Sequence, residues 1–444
     1  MLLKHAQILT SNGLHLCDII IKGEKIEAVD AHLTSSDPAI DLEGKIVLPS
    51  AVDVHVHFNE PGRTDWEGWS TGSTAALFGG VGTVFEMPLN AHPPTLNAAA
   101  FERKAALAAK KSIVDFGLWG GCTPENLDQI ASLAESGVIG FKAFMSNSGI
   151  DEFQNVDRAS LREGMQRVAE TGKILALHAE DEALCTQLGK EARDAGRLGP
   201  QDWVDSRPVE SELNAIAEAI ELSKETGCRL HIVHVSNRPG IDLISQAKAE
   251  GVDISAETCP HYLALDRNDL ETLGAVAKCA PPLREAAVVA DLWQRVCGPG
   301  VDSIGSDHSP CPTAMKTNVD NFADAWGGIS GIQNLLHPLI DRVIQKADLG
   351  WQRLVDLVAT YPAQRFGLGD RGKIEAGLLA DLVIVDPSQS TQISTDSLKY
   401  RHKHSPYVGK TFAGNIFAVV RRGHWHALTE DHFSGPLGSL VGES

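Results

Sequence analysis

Eight times between residues 46 and 307 an apolar, strand-like run recurs, usually followed by a helix-like stretch, and this rhythm is the strongest constraint on the fold. Strands are expected at 46–58, 83–87, 113–119, 139–145, 174–178, 230–235, 252–258 and 302–307. Helix-like stretches fill most of the gaps, among them 97–111, 124–136, 158–171, 210–226 and 240–250. The alternation predicts an α/β fold, a (β/α)8 TIM-like barrel with insertions. An open doubly wound sheet is the alternative, but no G-x-G-x-x-G loop follows the first strand.

Both chain ends have a different texture, with short β segments at 2–9, 17–22 and 25–29 and again at 382–385 and 411–422. Neither end is large enough to stand alone, so the two are expected to pair into one small β-sandwich domain. The predicted organisation is an N-terminal half of the sandwich over 1–48, the barrel over 49–372, and the C-terminal half of the sandwich with a tail over 373–444. A hydrophobic content of 43% in 444 residues suffices for a large core plus a smaller unit.

The formal net charge of −19 argues against binding nucleic acid or docking on an anionic membrane. No run approaches the roughly 20 apolar residues of a membrane helix. The opening Met1-Leu2-Leu3-Lys4 lacks a signal-peptide pattern. The eight cysteines are scattered with no C-x-x-C pair, which reads as reduced thiols and a cytoplasmic location. Cys311, near Asp307, reads as a packed thiol more readily than as a soft ligand.

Chemistry-bearing residues fall near the strand ends, where barrel active sites lie. His55 and His57 close the first run, and their i, i+2 spacing sends both imidazoles to one face. Lys142 sits late in the fourth strand, His178 ends the fifth, His234 is late in the sixth and Asp307 ends the eighth. Two other H-x-H patterns, His402/His404 and His424/His426, end no apolar strand with partners to meet and read as surface or interface histidines. His231, three residues before His234, points to the other face and reads as structural.

Lys142 is the least expected of these, because lysine is almost never fully buried without a partner. It is either a snorkelling or ion-paired lysine, or a neutral amine that has taken up CO2 as a carbamate able to bridge two cations. Asp307 could cap a turn or stand as a carboxylate beside a metal. Histidine and carboxylate ligands without cysteine suit two divalent metal ions, zinc foremost, with cobalt, manganese or iron as alternatives. A two-metal site activates water and polarises a carbonyl, with Asp307 as base and then acid, so hydrolysis at a carbonyl carbon is expected.

These residues resemble the amidohydrolase superfamily, in its cyclic-amidase branch of dihydroorotases, dihydropyrimidinases or hydantoinases, and allantoinases. The resemblance covers essentially the whole chain, including Gly377-Leu378-Leu379-Ala380-Asp381-Leu382. It implies that His55 and His57 hold the more buried metal with Asp307 beside it. It further implies that His178 and His234 hold the second, and that N6-carboxylated Lys142 bridges the two.

Within the branch the sequence is most similar to allantoinases, through residues 57–68, 86–90, 278–285, 307–311, 326–331 and 401–409. That similarity implies hydrolysis of allantoin to allantoate in purine and ureide breakdown, with a homotetrameric assembly. Asn59 stands where dihydroorotases usually have an arginine for the substrate carboxylate, which suits an uncharged ring. No tyrosine follows Lys142, where dihydropyrimidinases usually have one. Asn90 and the backbones of Cys279 and Gly328 are implied near the substrate, with Asn59 and Arg63 as further candidates. The alternatives are a hydantoinase-like or dihydroorotase-like cyclic amidase, or a non-catalytic scaffold relative.

Overall fold

The computed structural model describes residues 1–10, 12–317, 319–430 and 432–442. Eight parallel strands follow one another in chain order: β1 (Ala51–Val56), β2 (Val81–Glu86), β3 (Asp115–Gly121), β4 (Gly140–Phe144), β5 (Ile174–His178), β6 (Arg229–Ile232), β7 (Ile254–Thr258) and β8 (Ser303–Ile304). A parallel bridge between Val56 and His308, with His57 N–H donating to His308 O at 2.7 Å, brings the end of the row back to β1. The row therefore curls into the expected barrel. Nearly every strand residue is buried, as a parallel barrel clad in helices requires, so the strands read as continuous apolar runs without alternation.

Helix Arg158–Thr171 starts and stops where its sequence says, because Asp157 accepts from Ser160 N–H at one end and Gly172 takes a left-handed φ of 70° at the other. Strand ends were less legible. The run 46–58 is two strands: Ile46–Pro49 pairs antiparallel with Leu382–Gln392, and only Ala51–Val56 enters the barrel. Pro49 has no N–H to continue a ladder, and beyond it Ser50 N–H turns to Asp381 O while Ala51 N–H bonds Gly80 O. The sixth and eighth strands are shorter than expected, since His234 and Asp307 leave extended geometry with φ of 42° and 44°.

The second sheet mixes both chain ends in the order His424–Ala427, Thr411–Arg421, Leu382–Gln392, Ile46–Pro49, Leu2–Thr10, Gly13–Lys22, Lys25–Asp30. Strand Ala39–Asp41 pairs alongside Leu2–Thr10. One buried carboxylate ties this sheet to the barrel floor. Asp115, at the start of β3, accepts from Arg371 at 2.9 Å, Arg421 at 2.6 Å, Arg422 at 3.0 Å and Ser439 N–H at 2.8 Å. Burial would raise its pKa, but Arg421 and Arg371 outweigh burial and keep it low.

Removing that charge strands buried guanidinium groups. Asp115→Asn is expected to lower the unfolding free energy by about 3–5 kcal/mol, read by denaturant titration at fixed metal content. A loss below about 1 kcal/mol would mean the cluster is not a structural tie.

Candidate active site

Five of the six ligand-type residues picked from the sequence line one cavity of about 70 Å³ at the C-terminal mouth of the barrel: His55, His57, His178, His234 and Asp307. Lys142 reaches the same centre from within β4. Asp307 Oδ1 lies 3.1 Å from His55 Nε2 and 3.4 Å from His57 Nε2, and these three side chains form a group able to hold a metal ion. The His234 ring sits 4.6 Å from that of His178 and 5.5 Å from that of His55, centroid to centroid.

The outward nitrogens are spoken for. His55 Nδ1 lies 2.9 Å from Glu257 Oε1, and His178 Nε2 lies 2.7 Å from Glu180 Oε2. Burial opposes ionisation of both carboxyls, yet His55 and His231 hold Glu257 at about 2, and Arg207 and His178 hold Glu180 at about 2. As ionised acceptors they fix the proton on the nitrogen facing them and leave the opposite nitrogen its lone pair. Asn90 Nδ2 lies 3.3 Å from His57 Nδ1, and Asn90 Oδ1 has no hydrogen-bond partner among the described residues. With the amide oxygen and nitrogen exchanged, Nδ1–H would donate to Oδ1 and Nε2 would be free to ligate.

Asp307 is held well below the usual carboxylate range: burial pushes its pKa up, but His55, His57 and His234 pull it down further. It is ionised at neutral pH. Lys142 is fully buried, and its Nζ has no hydrogen-bond partner among the described residues; the Phe144 ring lies 5.0 Å away. It neither snorkels nor pairs with a carboxylate. Burial brings its pKa down to about 7 against the pull of Asp307 and Glu257, so much of the amine is neutral near physiological pH. An orphaned amine among imidazoles and a carboxylate fits a divalent metal centre better than an empty polar core.

Four of the site candidates adopt left-handed backbone: Asn59 (63°), Asn90 (68°), His234 (42°) and Asp307 (44°). Such conformations cost about 1–3 kcal/mol each and persist where surrounding contacts impose them, as at the ends of strands that must aim ligands inward. Asn90, Cys279 and Gly328 line the cavity. Asn59 and Arg63 do not: Asn59 Nδ2 donates to Pro310 O at 3.3 Å, and Arg63 bridges Asn90 O at 3.0 Å and Glu152 at 2.9 Å. The Cys279 carbonyl accepts from Trp203 Nε1 at 3.1 Å. Beyond the cavity lies a wider vestibule of about 570 Å³, bounded by Trp203, Arg207, Lys278, Met315 and Trp326.

The sequence reading passed over Glu180, Glu257 and the buried pair Glu86–Lys104 beside His57. The available signal was a carboxylate inside or just past an apolar strand. His231 is structural, donating or accepting between Ser255 Oγ at 2.8 Å and Glu257 at 3.2 Å. His402 and His404 bind the carbonyls of Asp65 and Cys311, tying loops together, and the Cys311 thiol is buried.

The sequence matches the amidohydrolase family over residues 46–426. The chain belongs to the amidohydrolase family. Among relatives of this amidohydrolase, an allantoinase from Solibacter usitatus is 46% identical over 94% of this chain and 91% of its own length. One from Deinococcus radiodurans is 43% identical over 99% and 98%. Of solved structures, the L-hydantoinase (dihydropyrimidinase) from Arthrobacter aurescens superposes with a TM-score of 0.96 at 33% identity, covering 100% of this chain and 99% of that one. The dihydropyrimidinase from Brevibacillus agri gives 0.91 at 27% identity, over 100% and 98%. Members are metal-dependent, and the His55, His57 and Asp307 group of this amidohydrolase suits that chemistry.

Glu257→Gln is expected to weaken metal binding about 10- to 100-fold in chelator competition; unchanged affinity would remove Glu257 from the support of His55. An amine reacts with CO2 only when unprotonated, the form that burial favours at Lys142. With dissolved CO2 held constant, the rate of activation of metal-stripped protein by CO2 plus metal should therefore climb from pH 6 to 8 as the pKa near 7 is crossed. Activation that is flat with pH, or falls, contradicts this.

Proposed function

We propose that this amidohydrolase opens the hydantoin ring of allantoin to give allantoate, using His55, His57, Lys142, His178, His234 and Asp307 to hold two divalent metals. The observation that carries the metal assignment is Lys142, a buried amine without a hydrogen-bond partner beside those imidazoles. Similarity to allantoinases over nearly the full chain supports the substrate. Zinc is the first choice of metal on ligand type.

Lys142 would enter the site by carboxylation: its nitrogen lone pair attacks the carbon of CO2, an N–C bond forms as one C=O π bond breaks with its pair moving to oxygen, and one N–H proton leaves to solvent. The resulting carbamate carries the negative charge and two oxygens that a lone lysine lacks. Metal bound here supplies Lewis acidity, which makes water a competent nucleophile near neutral pH and polarises an amide carbonyl. Asp307 Oδ1, ionised, takes the proton from the attacking water and later passes it to the leaving nitrogen. Asn90 and the main chain at Cys279 offer amide groups that a neutral, amide-rich ring needs, and Gly328 lies in the wall beside them with its own N–H and carbonyl engaged by Lys278 O and Lys316 Nζ. A cytosolic homotetramer belongs to this proposal.

A hydantoinase acting on bulkier 5-substituted rings is the second reading, favoured by the wide vestibule. Rates on allantoin, 5-substituted hydantoins, dihydrouracil and dihydroorotate separate the two; the first reading expects allantoin to have the highest kcat/KM, and negligible turnover of it sinks that reading. Lys142→Ala should lose metal and drop activity by at least about 100-fold, with short carboxylic acids restoring a fraction of both. A variant with full metal content and rate would rule out the bridging role.

A further inference from the structure

Segment 323–328 contributes to the wall over the cavity, through Trp326, Gly327 and Gly328. Two buried lysines hold its carbonyls. Lys316 Nζ donates to Trp326 O and Gly328 O, both at 2.7 Å, and Lys278 Nζ donates to Ala323 O at 2.7 Å and Ala325 O at 2.6 Å. Lys278 is 1% exposed and Lys316 6%. Neither takes part in an ion pair among the described residues, although Lys278 Nζ stands 4.0 Å over the Trp203 ring.

Burial lowers the pKa of both amines, Lys278 to about 7 and Lys316 to about 8. Burying two such groups close together with only carbonyls as hydrogen-bond partners is an expensive way to pin a loop when apolar packing would serve. What a lysine Nζ adds, charged or neutral, is direction, because each carbonyl that accepts from it has the plane of its peptide fixed. The Trp326–Gly327 peptide is trans, so its N–H points opposite to the carbonyl that Lys316 holds. That N–H belongs to Gly327 and takes no hydrogen bond among the described residues. The direction of a Cβ at Gly327 is also open, with nothing within 4 Å. The same segment is locked to the opposite wall, since Gly328 N–H donates to Lys278 O at 2.8 Å.

We propose that Lys316 and Lys278 are positioning residues for substrate recognition: by holding the carbonyls of 323–328 they present the Gly327 N–H to a ring carbonyl of the cyclic amide. This rests on the cyclic-amide reading above and adds a donor to it. The hydrogen bond contributes to substrate binding and to the preference for an oxygen acceptor, and Asp307 and the metal ligands are untouched by it.

The test uses full-length, metal-loaded protein with Lys316→Met and Lys278→Met, assayed on allantoin, hydantoin and 2-thiohydantoin, whose sulfur is a poorer acceptor. The expected result is a KM raised about tenfold with kcat within about threefold. Metal content should be unchanged, and the oxo-over-thio preference should shrink by a similar factor. Lys316→Gln and Lys278→Gln, which keep an N–H donor, should recover some of the loss, and they carry the test if the methionine variants do not fold. Folded, metal-loaded variants with KM and oxo-over-thio preference within twofold of the parent overturn the positioning role alone. A metal-loaded parent that opens no cyclic amide overturns the underlying reading and this one with it.

Discussion

The structure turns on a lysine amine that the fold carries into the middle of a parallel barrel and leaves without a hydrogen-bond partner among the described residues. An interior polar group in that position is costly unless something supplies the missing contact. Around it stand His55, His57, His178, His234 and Asp307, and the polar partners of His55 and His178 lie on the outer side. The centre is therefore a concentration of lone pairs with one neutralisable cation, which is the electrostatic complement of divalent metal. Burial does double duty here, since the desolvation that makes Lys142 costly as an ammonium also makes it a nucleophile near neutral pH.

Around this centre a layer of buried charges sets tautomers and angles. Glu257 touches His55 of β1, His231 of β6 and the backbone of His234 just past β6, so three separate residues answer to one carboxylate. Glu180 links His178 to Arg207, and Arg284 joins Glu212, Ser236 and the Arg207 carbonyl. Glu257 Oε1 accepts from the His234 N–H at 3.3 Å and so holds that left-handed backbone. The Asp115 cluster at the other end of the barrel ties the floor to the sheet, well away from the catalytic mouth.

Much of this was readable in the chain. The barrel follows from eight apolar runs, and β5 and the helix Arg158–Thr171 match the sequence reading residue for residue, because apolar run length and caps are local signals. Where a strand end depended on a distant neighbour, the reading slipped. Pro49 and Ser50 divide a run that looks continuous, since its first half answers to Leu382–Gln392 more than 300 residues away. Arg63 and Asn59 lie in a motif-rich stretch beside the ligands, yet they brace loops and do not line the cavity.

By itself the sequence determined which chemical groups are available and at which strand ends they emerge, because strand periodicity and hydrophobic run length are properties of neighbouring residues. It settled the barrel and the sheet built from both ends, and it named the ligand-type side chains that the proposed metal site draws on. Only the tertiary structure decided which nitrogen of His55 and of His178 faces inward, that Lys142 has no hydrogen-bond partner, and that two lysines fix the wall of the cavity. Those outcomes depend on contacts such as His55 with Glu257, 202 residues apart. No local pattern encodes the angle at which two such side chains meet.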